Sequence, residues 1–121
     1  MIVSLTDWNS FLSQLPNAHL LQTGEWGELK AGFGWKPVRL VNGNAGVQIL
    51  FRKLLLGLTI GYIPKANFPT SLWSEIDSAC KRHRAIFLKV EPDLWSEIRP
   101  ETWNLELEIW SPKLFDGRLW A

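Results

Sequence analysis

The chain has one cysteine, Cys80, among its 121 residues. That excludes an internal disulfide and a thiolate metal cage, and it fits a reducing cytoplasm. Histidine is nearly as scarce. His19 and His83 lie far apart with no carboxylate or cysteine at ligand spacing, so no metal site is expected. Charge of one sign is not in excess either: 13 Lys and Arg stand against 12 Asp and Glu, a formal charge of +1. No whole-molecule field therefore draws in nucleic acid, and any such contact has to be local. Met1-Ile2-Val3 opens the chain without a basic segment, a long apolar core or a small-residue cleavage site, so no secretory signal is expected. The longest apolar run, Leu54 to Ile63, is interrupted by Gly57, Thr59 and Gly61 and has about half the length of a membrane-spanning helix; it reads as a buried strand. No serine sits in a G-x-S-x-G turn.

What the chain does have is tryptophan, eight in all, whose plain use is bulk for a core or an interface. Its length suits one domain, residues 1–121, with a single core. Leu5, Trp8, Phe11, Leu12 and Leu15 keep helical spacing, with Thr6 or Asp7 as cap and Pro16 as the stop. The stretch HLLQTGEWGELKAGFGW, His19 to Trp35, encodes a second helix. Thr23 caps it, Glu25 lies in the first turn, and Gly32 and Gly34 end it. Trp26, Leu29 and Phe33 fall on one face of that helix, and Lys30 lies one turn beyond Trp26 on that face's edge, where a cation could point into a cleft.

From Trp35 the period changes to two. Val38 and Leu40, then Asn42-Gly43-Asn44, then Val47, Ile49 and Phe51 predict a hairpin. A strand over Thr59 to Ile63 follows. Thr70 or Ser71 then caps a helix with the stripe Leu72, Trp73, Ile76, Ala79 and Cys80. Lys81, Arg82, His83 and Arg84 at its end either answer the helix dipole or bind phosphate. AIFLKV, Ala85 to Val90, reads as a central strand buried on both faces, with Lys89 and Glu91 projecting together. A short helix after Pro92 and a half-exposed strand from Trp103 to Ile109 complete the expected elements.

Four blocks in order carry a family resemblance. They are Gln22, Trp26 and Lys30 in the spacing Q-x-x-x-W-x-x-x-K; Gly34-Trp35-Lys36-Pro37-Val38-Arg39-Leu40; Tyr62-Ile63-Pro64-Lys65; and Phe87-Leu88-Lys89-Val90-Glu91-Pro92. Together they resemble the first lobe of the Fem-type peptidoglycan bridge aminoacyltransferases, which move an amino acid from aminoacyl-tRNA onto a cell-wall precursor. The resemblance covers about residues 11–95 and leaves the tail 98–121 unmatched. It implies an α/β, GNAT-like fold: a mixed, largely antiparallel sheet flanked by helices, incomplete beside the full family fold. Ala66 and Asn67 stand where the family commonly has Gly-Pro, and no second lobe is matched, which makes the chain a truncated or divergent relative.

By the same resemblance Glu91 takes the catalytic position, accepting a proton or orienting the attacking amine, and it is longer by one methylene than the family's Asp. Lys30 contacts the precursor's phosphates, and Tyr62, Lys65 and Lys89 complete the substrate-binding set. No cofactor is implied. The partners are a lipid-linked or UDP-linked peptidoglycan precursor and aminoacyl-tRNA, at a cytoplasmic site that extends to the inner face of the membrane. Other roles stay open. Lys30 could lay its stem along Trp35 or Phe33, Glu91 could cap a helix or pair with Lys89, and Gln22 and Trp26 read as structural, the indole in the core and the amide on backbone. The alternative function is a non-catalytic interaction module that works through a homodimer or a separately encoded partner lobe. A coenzyme A acetyltransferase is disfavoured, because Phe51 to Leu58, FRKLLLGL, holds one glycine where a pyrophosphate loop needs several.

Overall fold

The alternation that begins at Trp35 becomes a hairpin in the computed structural model, which describes residues 1–15, 18–91 and 108–110. β2 (Trp35–Asn42) and β3 (Ala45–Lys53) pair antiparallel from Trp35↔Arg52 to Asn42↔Ala45, leaving Gly43 and Asn44 as a two-residue turn. Gly43 has φ +62°, which a residue without Cβ adopts freely. β4 (Thr59–Ile63) adds antiparallel to β3, β5 (Ala85–Val90) parallel to β4, and β6 (Glu108–Trp110) antiparallel to β5. β1 (Ile2–Val3) pairs outside β2, so the six strands stand in chain order. The mixed, largely antiparallel sheet is the one expected. Its first strand was not, because two residues are too few to show a period.

Register partners share a face, so the pairing divides the sheet into two surfaces. Val38, Leu40, Val47, Ile49, Phe51, Ile63, Leu88 and Val90 face one way and are buried. α3 (Trp73–Arg82) covers them with Ile76, Ala79 and Cys80, and Leu72 joins the same core. Each fully buried aliphatic side chain there contributes about 2 kcal/mol of transfer free energy. Thr70 and Ser71 do not cap this helix. They form a turn of 3-10 helix, Thr70–Leu72, that runs into α3 without a side-chain cap.

The opposite surface carries Pro37, Arg39, Gln48, Leu50, Arg52, Ile60, Tyr62 and Lys89. α1 (Leu5–Leu12) and α2 (Gly24–Ala31) lie over its β2–β3 half. Ser4, not Thr6 or Asp7, caps α1 by accepting from the Asp7 N–H, and the helix ends at Leu12 short of Leu15. Trp8 is its buried anchor, donating from Nε1 to the Gln22 carbonyl at 2.9 Å. Thr23 caps α2 as expected, its Oγ1 accepting from the Trp26 N–H.

The inward face of α2 differs from the expected stripe. Gly27 points at the sheet, where a Cβ would run into Gln48 Oε1 and Arg39 Nη2, whereas Gly24 faces α1, where a Cβ would meet Asn9 and Leu5. Leu29 and Phe33 are 52% and 67% exposed, and Trp26 is half-buried outside the core. The reason is close approach. The helix backbone sits on polar side chains, and only glycine leaves room.

Below it the Gln22 amide donates to the carbonyls of Gln48 and Pro64, at 3.1 and 2.7 Å, and its Oε1 accepts from the Gln48 N–H at 2.8 Å. Gln48 Nε2 donates to the Thr23 carbonyl, and Arg39 Nε donates to Gln48 Oε1. Arg39 Nη2 then reaches Glu28 Oε2 at 3.1 Å. The structural reading of Gln22 therefore holds. Every link of this buried chain has a partner, the condition under which polar burial stabilises.

Two strand expectations need correction. Leu54 to Leu58 is a five-residue loop joining β3 to β4, not buried strand: Leu56 and Gly57 take φ of +63° and +75°, reversing the chain so that Lys53 can pair with Thr59. β5 is buried at Ala85, Leu88 and Val90 but exposed at Phe87 and Lys89, because α1 and α2 cover β2 and β3 instead. The helix expected after Pro92 lies outside the described residues. So does the expected strand over 103–109, apart from Glu108 and Ile109 in β6.

Candidate functional site

β4 and β5 run parallel, so both chains leave the sheet at the same end. Tyr62 and Lys89 are register partners on the surface away from α3. Beyond them the ladder continues into the loops, with the Glu91 N–H donating to the Ile63 carbonyl at 2.9 Å and the Ala66 N–H to the Glu91 carbonyl at 3.1 Å. Lys65 lies between these bonds with φ +45°, an uncommon conformation for a residue with a Cβ. The two clamps hold the strained residue against Glu91.

Four of the five predicted site residues converge here. Lys65 Nζ lies 3.2 Å from Glu91 Oε1, and both side chains are about one-third exposed or less. Tyr62 donates its hydroxyl proton to the Glu91 carboxylate. Burial first, then that carboxylate's charge and the hydrogen bond, push the phenol pKa up to about 12. At neutral pH Tyr62 is therefore a hydrogen-bond donor and not a base. Lys89 Nζ stands 5.7 Å from the Tyr62 ring centroid, over its face. The result is one carboxylate, one protonated phenol and two ammonium groups around the ends of two strands. Such a set can orient an amine, take its proton, and hold anionic groups nearby.

Lys30, the fifth, is held elsewhere on the same surface. Its Nζ is 5.3 Å from the Trp26 ring centroid and 6.0 Å from that of Trp35, which Arg52 also approaches at 5.7 Å. The ammonium itself, rather than the stem alone, lies against the Trp26 and Trp35 rings. A second element was not foreseen: a cleft of about 330 Å³ bordered by Trp8, Leu12, His19, Gln22, Lys65 and Ala66. It gives Lys65 two sides, the ion pair and the cleft. His19 does not offer a free imidazole there, since its Nδ1 accepts from the Leu21 N–H at 3.0 Å. No spacing rule in the sequence reveals this cleft, because its walls come from four separate segments. Among the described residues no group of His, Cys, Asp and Glu is placed to hold a metal ion.

No protein-family profile and no curated protein matches the chain. Among solved structures FemX is similar, with a TM-score of 0.64 and 22% identity over 86% of this chain. The match covers 29% of the FemX chain, so the present chain spans less than a third of that structure's length. The likeness shows a shared fold, the GNAT-like mixed sheet flanked by helices that the four sequence blocks imply.

Proposed function

We propose that the chain is a Fem-type aminoacyltransferase relative that supplies part of the site where an amino acid passes from aminoacyl-tRNA to the peptide of a peptidoglycan precursor. The observation that supports this most is the meeting of Glu91, Lys65 and Tyr62 at the ends of parallel β4 and β5, within a fold shared with FemX. In the reaction the precursor's free amine attacks the ester carbonyl. The N–C bond forms, the bond from carbonyl carbon to ribose oxygen breaks, and the amine's proton passes by way of Glu91 to the departing ribose hydroxyl. Tyr62 keeps its proton and fixes the Glu91 carboxylate. Lys65 balances that carboxylate, and Lys89 and Lys30 meet the precursor's phosphates as mobile point charges.

The site of action is the cytoplasm, up to the inner face of the membrane, with the precursor lipid-linked or UDP-linked and no cofactor. No helix among the described residues is long and apolar enough to cross a membrane. The match covers 29% of FemX, and in this reading the remainder of the active assembly comes from outside these 121 residues. The test follows labelled amino acid from charged tRNA to a UDP-linked precursor, with the chain alone and with products of neighbouring genes. Glu91→Gln is expected to lower the rate at least a hundredfold. Lys65→Ala and Lys89→Ala are expected to raise KM. An unchanged rate in Glu91→Gln would remove the carboxylate's role, and absence of transfer with every partner would sink the reading.

A second reading rests on β6, which ends the strand order among the described residues. In it the chain is a non-catalytic module that pairs with a second copy at that edge. Light scattering separates the two, since a monomer at high concentration rules out self-pairing.

A further inference from the structure

The loop between β3 and β4 places apolar side chains where folding gives them nothing to pack on. Leu55 and Leu56 are 84% and 87% exposed, and Leu54 is exposed beside them. The loop is nonetheless ordered by its own bonds. The Leu54 N–H donates to the Leu58 carbonyl at 2.7 Å, and the Leu58 N–H to the Leu55 carbonyl at 3.2 Å. Leu56 holds φ +63°, a conformation that costs about 1 kcal/mol for a residue with a Cβ. Neither burial nor backbone preference accounts for leucine at that position.

The surroundings are basic. β2 begins, β3 ends, and β4 and β5 begin at this one end of the sheet, which brings Lys36, Lys53, Arg82 and Arg84 around a cleft of about 440 Å³ beside Gly57. No carboxylate lines that cleft. His83 on its wall stacks on Phe51 at 4.5 Å between ring centroids. Its pKa is lowered by burial and then by the charges of Lys36 and Arg82, so it stays neutral at neutral pH and the positive charge of this end comes from the lysines and arginines. The Leu54–Leu58 loop thus stands as an apolar tip at the same end of the sheet as these four cations, joined to their cleft through Gly57.

We propose that this end of the protein docks on an anionic lipid bilayer, with Leu55 and Leu56 entering the interfacial region and Lys36, Lys53, Arg82 and Arg84 lying over the headgroups. The two halves of the surface match the two layers of such a membrane: leucine gains by leaving water, and each basic side chain near the surface gains from the negative potential. Charge complementarity selects the lipid over a second copy of the chain, whose equivalent tip carries the same sign. The inference does not depend on the transferase reading and needs neither tRNA nor a precursor to be tested.

The experiment is co-sedimentation of the whole chain with phosphatidylglycerol vesicles and with phosphatidylcholine vesicles, at low and high salt. Binding is expected to the anionic vesicles, to weaken with salt, and to be at least tenfold weaker on the neutral ones. Leu55→Ser with Leu56→Asn changes exposed side chains and gives the left-handed position a residue that tolerates it. With the circular dichroism unchanged, this variant is expected to lose at least tenfold in partitioning. Lys53→Gln and Arg82→Gln are expected to lose about fivefold each. Equal binding to both vesicle types, or full binding by the leucine variant, overturns the proposal. Displacement of bound protein by millimolar inorganic phosphate at constant ionic strength overturns it too, making the cleft a small-anion site. Concentration-dependent dimerisation that the leucine variant abolishes, with no vesicle binding, assigns the tip to self-association instead.

Discussion

The two faces of the sheet are held by different physics. Under α3 the contact is apolar and made of interchangeable bulk: Leu72, Ile76, Ala79 and Cys80 against Val38, Ile49 and Leu88. Under α1 and α2 it is a buried chain of amides and one guanidinium, Gln22 to Gln48 to Arg39, roofed by Gly27. Apolar burial is roughly proportional to area and degrades gradually, whereas a polar network fails when one member leaves its partners dry. The face that carries the predicted site residues is therefore the less forgiving one.

Gln22→Leu sharpens that contrast most. It removes three hydrogen bonds and leaves the Gln48 N–H and the Gln48 and Pro64 carbonyls buried without their partner, an expected loss of about 4 kcal/mol. Urea midpoints measure it. Cys80 gives an independent reading, because it is the single cysteine, fully buried, with a thiol pKa raised to about 12 by burial and by Asp77. Its labelling by a thiol reagent should require global opening and should accelerate about a thousandfold in Gln22→Leu, the equilibrium counterpart of 4 kcal/mol. Equal labelling rates would mean that the two faces open separately.

Gly27→Ala comes next. Glycine to alanine inside a helix ordinarily stabilises by up to about 1 kcal/mol, yet here the added methyl must displace Gln48 and Arg39 from their bonds. A net loss of about 2 kcal/mol is expected. A gain in stability would show that the network can move aside. On the apolar face, Ile76→Val should cost about 1 kcal/mol. If it costs as much as Gln22→Leu, the contrast fails.

The smallest effect lies at the strand ends. Tyr62 is the single tyrosine, so tyrosinate absorbance reports it alone. It should titrate near pH 12, and Glu91→Gln should lower that value towards but not down to 10, since burial is the larger cause. The folded pKa lies above the unfolded one, so this stabilisation is complete below pH 10 and declines as the pH rises towards 12. Cys80 declines over part of the same range, so the stability difference between the native protein and Tyr62→Phe isolates the phenol.

The same contrast explains what the sequence disclosed. The hairpin, β4 and the apolar stripe of α3 were legible because one face of each is apolar and repeats with a fixed period. The inward face of α2 was not, since Gly24 against α1 and Gly27 over Gln48 leave no hydrophobic signature, and Leu29 and Phe33 imitate one on the outside. The β3–β4 loop misled for the opposite reason: Leu54 to Leu56 look like core and are exposed. The expected cap of α1 was displaced, since Thr6 and Asp7 lie two and three residues beyond Ser4, which takes the role. At the site, Tyr62 and Glu91 are 29 residues apart, and only the parallel pairing of β4 with β5 joins them. Periodicity carries no information about that pairing; the family resemblance put both residues in one site without giving the pairing that joins them.

The parallel pair has one more consequence. β4 and β5 start at the basic, leucine-tipped end and finish at Glu91, and extended strands cannot shorten. Five residues rising about 3.3 Å each make the sheet a spacer of roughly 15 Å. With the tip seated on a bilayer, the carboxylate would ride at that fixed standoff, and an acceptor amine tethered in the lipid would have to reach it across about five extended residues. The fold would then act as a gauge of acceptor length, and trimming the tethered peptide by two residues should slow transfer far more than the same cut in a freely diffusing acceptor.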